Sequence, residues 1–198
     1  MASAPRIPKA EITGIYGYLV KRFSRKLLGD VPEPAEVMWH NRPVLTSSTA
    51  FGRKVQKWDQ LDPNLKSFAH MTVAAMVGCS WCLDLNYFLA HNEGFDMIKA
   101  SEVPRWRSSS VFTPLERDVL EYAEAMSETP PRVTDDLVAR LLDQLGAAGV
   151  VELTGVVGFA NLTTRCNTAL GVESQEFSKE CPLPLTPRSI SDGYATSA

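Results

Sequence analysis

The sequence predicts an all-α fold. Apolar residues recur at helical spacing in several segments, capping residues precede many of these segments, and no segment alternates convincingly with a period of two. The chain has 198 residues, which is long enough for one domain with a substantial core. Hydrophobic residues make up 44% and charged residues 22%, as in ordinary soluble globular proteins. We therefore expect one helical domain with an extension at each end.

The N-terminal segment, residues 1–31, is predicted to form an amphipathic helix. Apolar residues from Ile12 to Leu28 follow the helical period, and Gly29 is a natural end for the helix. A basic amphipathic helix can bind a membrane surface, but docking on its own domain or on a second subunit is the preferred interpretation. The basic residues of its opposite face are Lys21, Arg22, Arg25 and Lys26.

The main domain is predicted to cover residues 32–175. A short helix near Val37 and a modest helix over residues 45–58 come first. Asp62 then caps a helix whose first turn contains Pro63. The apolar residues of that helix cover most of its circumference, so we expect it to be buried nearly all round.

Four further helices are expected, over about residues 79–91, 113–126, 134–145 and 150–169. Thr113 and Glu116 form a capping box at the second of them, and Gly149 precedes the last. Residues 100–110 are expected to be a connector. Residues 176–198 are predicted to be an extended or disordered tail, because prolines are followed there by Ser, Asp and Gly.

Charge and cysteine content restrict the possible partners and compartment. The net charge of −3 and the pI of about 5.7 argue against nucleic acid as the main partner. No apolar signal core and no stretch able to span a bilayer is recognised, so we expect a cytoplasmic protein. Four cysteines are too few for a disulfide scaffold, and a close pair with two distant single cysteines fits a reducing compartment.

The segment Cys79-Ser80-Trp81-Cys82 is the strongest candidate for chemistry. It follows Gly78 at the junction of two predicted helices. If Cys79 opens a helix, both sulfurs lie near its positive end, where a thiolate is stabilised. Cys82 and Asn86 then share one side of the helix. His70, on the preceding helix, is a residue type that can transfer a proton near neutral pH, although a surface position without a catalytic role is the simpler interpretation.

Two other interpretations of the cysteine pair stay open. A structural zinc site needs four ligands, and the three histidines are scattered, so metal binding is weaker than redox chemistry. We predict no metal and no cofactor. Alternatively, both cysteines are buried and pack as small hydrophobic residues.

The pair and its flanking residues resemble the carboxymuconolactone decarboxylase and alkylhydroperoxidase D superfamily. The similarity begins at Leu61-Asp62-Pro63, continues through Gly-Cys-x-x-Cys to Asp84 and Gly94, and resumes at Val151-Glu152-Leu153-Thr154 with Asn161 and Arg165. The resemblance implies an all-helical fold that assembles into homo-oligomers of helical hairpins. It also implies reduction of hydroperoxides, with Cys82 attacking, Cys79 resolving, and electrons supplied by a lipoyl or thioredoxin-like carrier.

The chain departs from the superfamily pattern at the proton relay. Asn86 replaces the histidine that follows the second cysteine by four residues, and Ser67 stands about where a glutamate is usual. Asparagine donates hydrogen bonds but cannot transfer a proton at pH 7. Peroxidase turnover is then weak, His70 replaces the relay, or the scaffold has another activity. Related lactone decarboxylases do not generally rely on the cysteine pair, which favours thiol redox chemistry here.

Two alternative functions remain. One is cofactor-free decarboxylation or isomerisation of a small cyclic acid, with Arg165 or Arg53 holding a carboxylate. The other is a non-catalytic helical oligomer. We further expect Asp84 and His91 to face solvent and Tyr87 to contribute only packing. The polar residues of the last helix either line a cavity above the thiols or, in the favoured interpretation, form an intersubunit or intrahelical polar network: Glu152, Asn161 and Arg165.

Overall fold

The computed structural model describes residues 5–186, and all regular secondary structure in this range is helical. The predicted all-α fold is confirmed. Short 3-10 helices cover Trp39–Asn41, Val103–Arg105 and Phe177–Glu180. The α-helices are α1 (Gly14–Leu28), α2 (Glu33–Met38), α3 (Arg42–Gln56), α4 (Pro63–Val77), α5 (Ser80–Asn92), α6 (Met97–Glu102), α7 (Pro114–Ser127) and α8 (Asp135–Leu170).

Helix α4 is the central element of the fold and packs against α5, α7 and α8. Its start follows from the sequence, because the Asp62 carboxylate accepts a hydrogen bond from the Asn64 backbone N–H and Pro63 needs no such partner. The expectation of burial on nearly all sides is confirmed. Seven residues of the helix are buried: Leu65, Phe68, Ala69, Met71, Thr72, Val73 and Ala74.

Helix α8 is interrupted at Gly146, where φ is 68° and ψ is 172°. Only glycine adopts this backbone conformation without strain. The predicted end of one helix at Leu145 agrees with this break, whereas the predicted start of the next at Val150 is too late, because Gly149 is already helical and buried. Residues of both arms of α8 belong to the core shared with α4.

Contrary to the sequence-based expectation, α8 is long and apolar enough to cross a membrane by length and composition. About a third of its most apolar window is buried within the chain. The buried residues include Leu153, Val157 and Ala160, which share one hydrophobic core with α4 and α7. One face of α8 therefore belongs to the core of the helical domain.

Helix α1 lies at the periphery, and Gly17 is its only buried residue. A small cluster of Ile12, Val31 and Trp39 attaches this region to the rest of the chain. The apolar side chains of α1 are therefore largely exposed to solvent: Ile15, Tyr16, Tyr18, Leu19, Phe23 and Leu27.

The segment after α8 packs on the helical body as far as it is described. The backbone N–H and the hydroxyl of Thr186 both donate to the Ser101 carbonyl, and the Tyr87 hydroxyl donates to the Leu183 carbonyl at 2.7 Å. The region assigned from sequence to an extended or disordered tail thus contains a 3-10 helix and ordered contacts up to Thr186. Residues 187–198 of that assignment lie outside the described residues. The predicted connector 100–110 includes the end of α6 and a second 3-10 helix.

Candidate thiol redox site

The bend between α4 and α5 brings the two cysteine sulfurs together. Gly78 ends α4 in the left-handed conformation, with φ of 79°. Cys79 is then the N-cap of α5, and its Sγ accepts a hydrogen bond from the Cys82 backbone N–H at 3.2 Å. The two sulfurs form a disulfide across a Cα–Cα distance of 5.3 Å. The predicted helical hairpin with the cysteine pair at its bend is confirmed.

Both cysteines are almost completely buried within the chain. Cys79 is 1% exposed and Cys82 is 2% exposed, and Ala74 packs against them. Cys79 borders a mainly apolar pocket of about 330 Å³. Its other lining residues are Ala74, Ala75, Gly78, Ser80, Leu83, Pro104, Leu185 and Thr186.

The Cys82 sulfur faces the last helix. The Asn167 side-chain amide donates a hydrogen bond to Cys82 Sγ at 3.4 Å, and Asn167 is itself only 3% exposed. Asn167 Oδ1 is buried and has no hydrogen-bond partner among the described residues. The sequence analysis missed Asn167 because it lies 85 positions from Cys82 and belongs to no local motif.

Asn86 lies beside Cys82 as predicted, but its amide is directed to the backbone. Its Nδ2 donates to the Cys82 carbonyl at 2.7 Å, the geometry of a side chain bonded to the preceding helical turn. This contact links two successive turns of α5, and the hydrogen bond to the Cys82 sulfur comes from Asn167 instead.

His70 lies on α4 with its ring against Phe159, at a centroid distance of 6.1 Å in an edge-to-face arrangement. Among the described residues, no hydrogen bond joins His70 to either sulfur. Burial lowers the pKa of His70 from 6.5 to about 4, because the apolar surroundings disfavour the imidazolium. The imidazole is therefore neutral at pH 7.

Asp84 is buried at 4% exposure, so the expectation that it faces solvent is wrong. Its carboxylate accepts hydrogen bonds from the Ser174 hydroxyl and from the backbone N–H groups of Phe177 and Ser178, all within 3.0 Å. Trp81 donates from its indole Nε1 to Gln175 at 2.9 Å. The chain after α8 therefore closes over the first two turns of α5, which bear the cysteines.

The polar residues of α8 form a network between helices of the same chain, whereas the favoured prediction was an intersubunit or intrahelical network. Glu152 is buried, pairs with Lys66 at 3.0 Å and accepts hydrogen bonds from the backbone N–H groups of Gln60 and Leu61. Asn161 donates to the Ser127 hydroxyl, and Arg165 donates to the Ser127 carbonyl. These contacts join α8 to α7 and to the start of α4.

Residues 43–125, which include the cysteine pair, match the carboxymuconolactone decarboxylase family. The chain is also similar to the uncharacterized protein YnjA of Escherichia coli (strain K12). The two are 34% identical over 153 residues, which are 76% of this chain and 84% of YnjA.

The fold is similar to those of two solved structures. One is an uncharacterized peroxidase-related protein of Ralstonia eutropha JMP134, an alkylhydroperoxidase AhpD core, with a TM-score of 0.77 and 15% identity over 89% of this chain and 96% of that one. The other is the debrominase Bmp8, with a TM-score of 0.71 and 18% identity over 81% of this chain and 86% of that one. At these identities the likeness establishes the fold, and the fold supports more than one activity.

Proposed function

The chain belongs to the carboxymuconolactone decarboxylase and alkylhydroperoxidase D superfamily, and on this premise we propose that it is a thiol-dependent hydroperoxidase or disulfide reductase. The observation that supports this most is the Cys79–Cys82 disulfide at the N-terminus of α5. A pair at this position interconverts between dithiol and disulfide without moving the helices, because both sulfurs belong to one helical turn.

In the proposed oxidative half-reaction, the Cys82 thiolate attacks the outer oxygen of a hydroperoxide. The O–O bond breaks, the alcohol leaves after protonation, and Cys82 becomes a sulfenic acid. The Cys79 thiolate then attacks the Cys82 sulfur, and hydroxide leaves and is protonated to water as the disulfide forms. The helix N-terminus and the Asn167 amide both favour the thiolate form of Cys82.

We propose that disulfide exchange is a larger part of the activity of the cysteine pair than hydroperoxide turnover is. Protonation of the leaving alkoxide needs an acid, and an asparagine at position 86 cannot supply a proton. His70 is neutral at pH 7, because burial lowers its pKa to about 4. Hydroperoxide reduction then depends on water as the proton donor, which makes it slow.

The proposed partners are a small hydroperoxide and a thiol electron donor such as a lipoyl group or a thioredoxin-like protein. The proposal assigns the protein to the reducing cytoplasm, where disulfides are mostly transient and catalytic. We also propose that the protein forms a homo-oligomer. Ile15 on α1 is 84% exposed and Phe23 is 63% exposed, and an apolar helix face of this kind is usually covered by another surface.

Turnover of cumene hydroperoxide with dihydrolipoamide as the reductant tests the proposal. The wild-type protein should consume hydroperoxide above the uncatalysed rate, whereas Cys79→Ser and Cys82→Ser should not. Cys166→Ser is the matched control, because this thiol is exposed on α8 and takes no part in the pair. A Cys82→Ser variant that consumes hydroperoxide at the wild-type rate would contradict the proposal. The alternative, cofactor-free decarboxylation or isomerisation of a small cyclic acid, predicts instead that Cys82→Ser keeps full activity on that acid.

A further inference from the structure

The two sulfurs of the disulfide have different surroundings. Cys79 borders the pocket of about 330 Å³, together with Leu83, Pro104 and Leu185. Cys82 is not among the described residues that line this pocket. Its sulfur instead accepts a hydrogen bond from the Asn167 amide. One cysteine therefore borders a space that a small molecule can occupy, and the sulfur of the other contacts a buried hydrogen-bond donor.

From this asymmetry we infer that a reducing dithiol attacks the Cys79 sulfur from the pocket, and that Asn167 stabilises the Cys82 thiolate that leaves. The inference rests on the proposed thiol–disulfide function. It names Cys79 as the sulfur at which the electrons enter. It also makes Asn167 on α8 a catalytic residue, because its amide touches a reacting atom, Cys82 Sγ.

The reductive step balances as two thiol exchanges. A thiolate of the dithiol forms a bond to Cys79 Sγ while the Cys79–Cys82 bond breaks, and the electron pair of that bond stays on Cys82. The second thiol of the reductant then attacks the reductant sulfur of the mixed disulfide, and Cys79 leaves as a thiolate. The dithiol loses two electrons and two protons and becomes a cyclic disulfide, and the cysteine pair receives both electrons and protons.

Asn167 is suited to hold a leaving thiolate because its amide is buried and already directed at the sulfur. A hydrogen bond to a charged acceptor is stronger than one to a neutral acceptor, so this contact strengthens as charge develops on Cys82. Asn167 Oδ1 has no partner among the described residues. A rotation of the amide therefore lets the same side chain accept from the Cys82 thiol once it is protonated.

Reaction of the oxidised wild-type protein with a monothiol identifies the attacked sulfur directly. The disulfide protein is exposed briefly to 2-mercaptoethanol, quenched in acid and alkylated with N-ethylmaleimide, and fragment ions locate each group. We expect the mercaptoethanol adduct on Cys79 and the maleimide on Cys82. The adduct on Cys82, or an equal distribution, overturns the inference. No hydroperoxide is used, so a lack of peroxidase activity leaves this result unaffected.

Variants of Asn167 test its role as a hydrogen-bond donor. The rate constant for reduction by dithiothreitol at fixed pH should fall about tenfold in Asn167→Leu, as expected for loss of one hydrogen bond to a charged group. Asn167→Asp should be slower still, because its carboxylate repels the thiolate at unchanged volume. This order would not arise from looser packing alone.

Asn161→Ala is the matched control, since Asn161 lies on α8 like Asn167, donates to Ser127 of α7, and has no hydrogen bond to Cys82 among the described residues. Its reduction should proceed at the wild-type rate. Equal rates for Asn167→Leu and wild type overturn the assignment of Asn167. If an Asn167 variant does not fold, the adduct map of the wild-type protein still decides which sulfur is attacked.

Discussion

Asp84 Oδ1 accepts a hydrogen bond of 2.8 Å from the backbone N–H of Ser178, although the two residues are 94 positions apart. The contact joins the helix of the cysteine pair to the segment that follows α8. Because Leu185 and Thr186 on the same segment border the pocket next to Cys79, the shape of that pocket depends on this attachment.

We predict that Asp84→Asn lowers the free energy of unfolding by about 2 kcal/mol, the range for hydrogen bonds to a charged group. The amide presents an NH₂ group toward backbone N–H donors and so leaves one of them without an acceptor. Urea unfolding of the oxidised protein measures the effect. Asp143→Asn, at an exposed position of α8, is the control and should change stability by less than about 0.5 kcal/mol. Equal stability of the two variants would contradict the structural role of Asp84.

Two glycines of α8 should respond in opposite directions to alanine. A Cβ at Gly155 would lie 2.8 Å from the Trp58 ring, whereas at Gly158 the nearest atom is Met126 Cε at 3.9 Å. Gly155→Ala should therefore destabilise the protein by about 1–3 kcal/mol through overpacking. Gly158→Ala should stabilise it by up to about 1 kcal/mol, because alanine favours the helix more than glycine does. Thermal unfolding of both variants checks this, and an equal shift in both would be inconsistent with the packing of Trp58.

The buried pair of Glu152 and Lys66 should show strong coupling. Glu152→Gln leaves Lys66 without its carboxylate and should cost about 3 kcal/mol of stability, as for loss of one member of a buried ion pair. Adding Lys66→Met should recover part of this loss, because the remaining charge is removed. A double-mutant cycle by urea unfolding measures the coupling, and strictly additive effects would show that the pair is not an energetic unit.

His70 should make stability depend on pH below neutrality. Its pKa is about 4 in the folded protein and near 6.5 when unfolded. A lowered folded pKa means that the contribution is complete above pH 6.5, falls as the pH drops toward 4, and is constant below that. Relative to His70→Gln, wild type should therefore lose about 1–2 kcal/mol between pH 7 and pH 5. The same pH dependence in both proteins would mean that folding does not shift the pKa of His70.

The local parts of the fold could be predicted because their determinants lie within a few residues of each other. The Asp62 cap, the capping box at Thr113 and the bend at Gly78 all appear in the structure where the sequence indicated them. The break in α8 follows the predicted helix end at Leu145, but the start of the second arm was predicted too late, because Gly149 is also a possible helix boundary by sequence.

The long-range contacts of the site could not be predicted from local sequence patterns. Asp84 was expected in solvent because helical periodicity says nothing about a segment that returns 90 positions later to cover the helix. Asn167 reaches Cys82 through the packing of α8 on α5, and no spacing rule relates the two residues. A catalytic role for Asn86 as a hydrogen-bond donor and the replacement of the proton relay by His70 remain predictions.

The most direct measurement of the central claim is the fate of the cysteine pair after one equivalent of hydroperoxide. Fully reduced protein is treated with cumene hydroperoxide, alkylated and digested. The mass of the peptide that contains residues 79 and 82 is then measured by mass spectrometry. We predict that this peptide loses two hydrogens and resists alkylation, while Cys166 stays alkylated. Two alkyl groups on Cys79 and Cys82 after prolonged treatment would contradict hydroperoxide reduction by the pair.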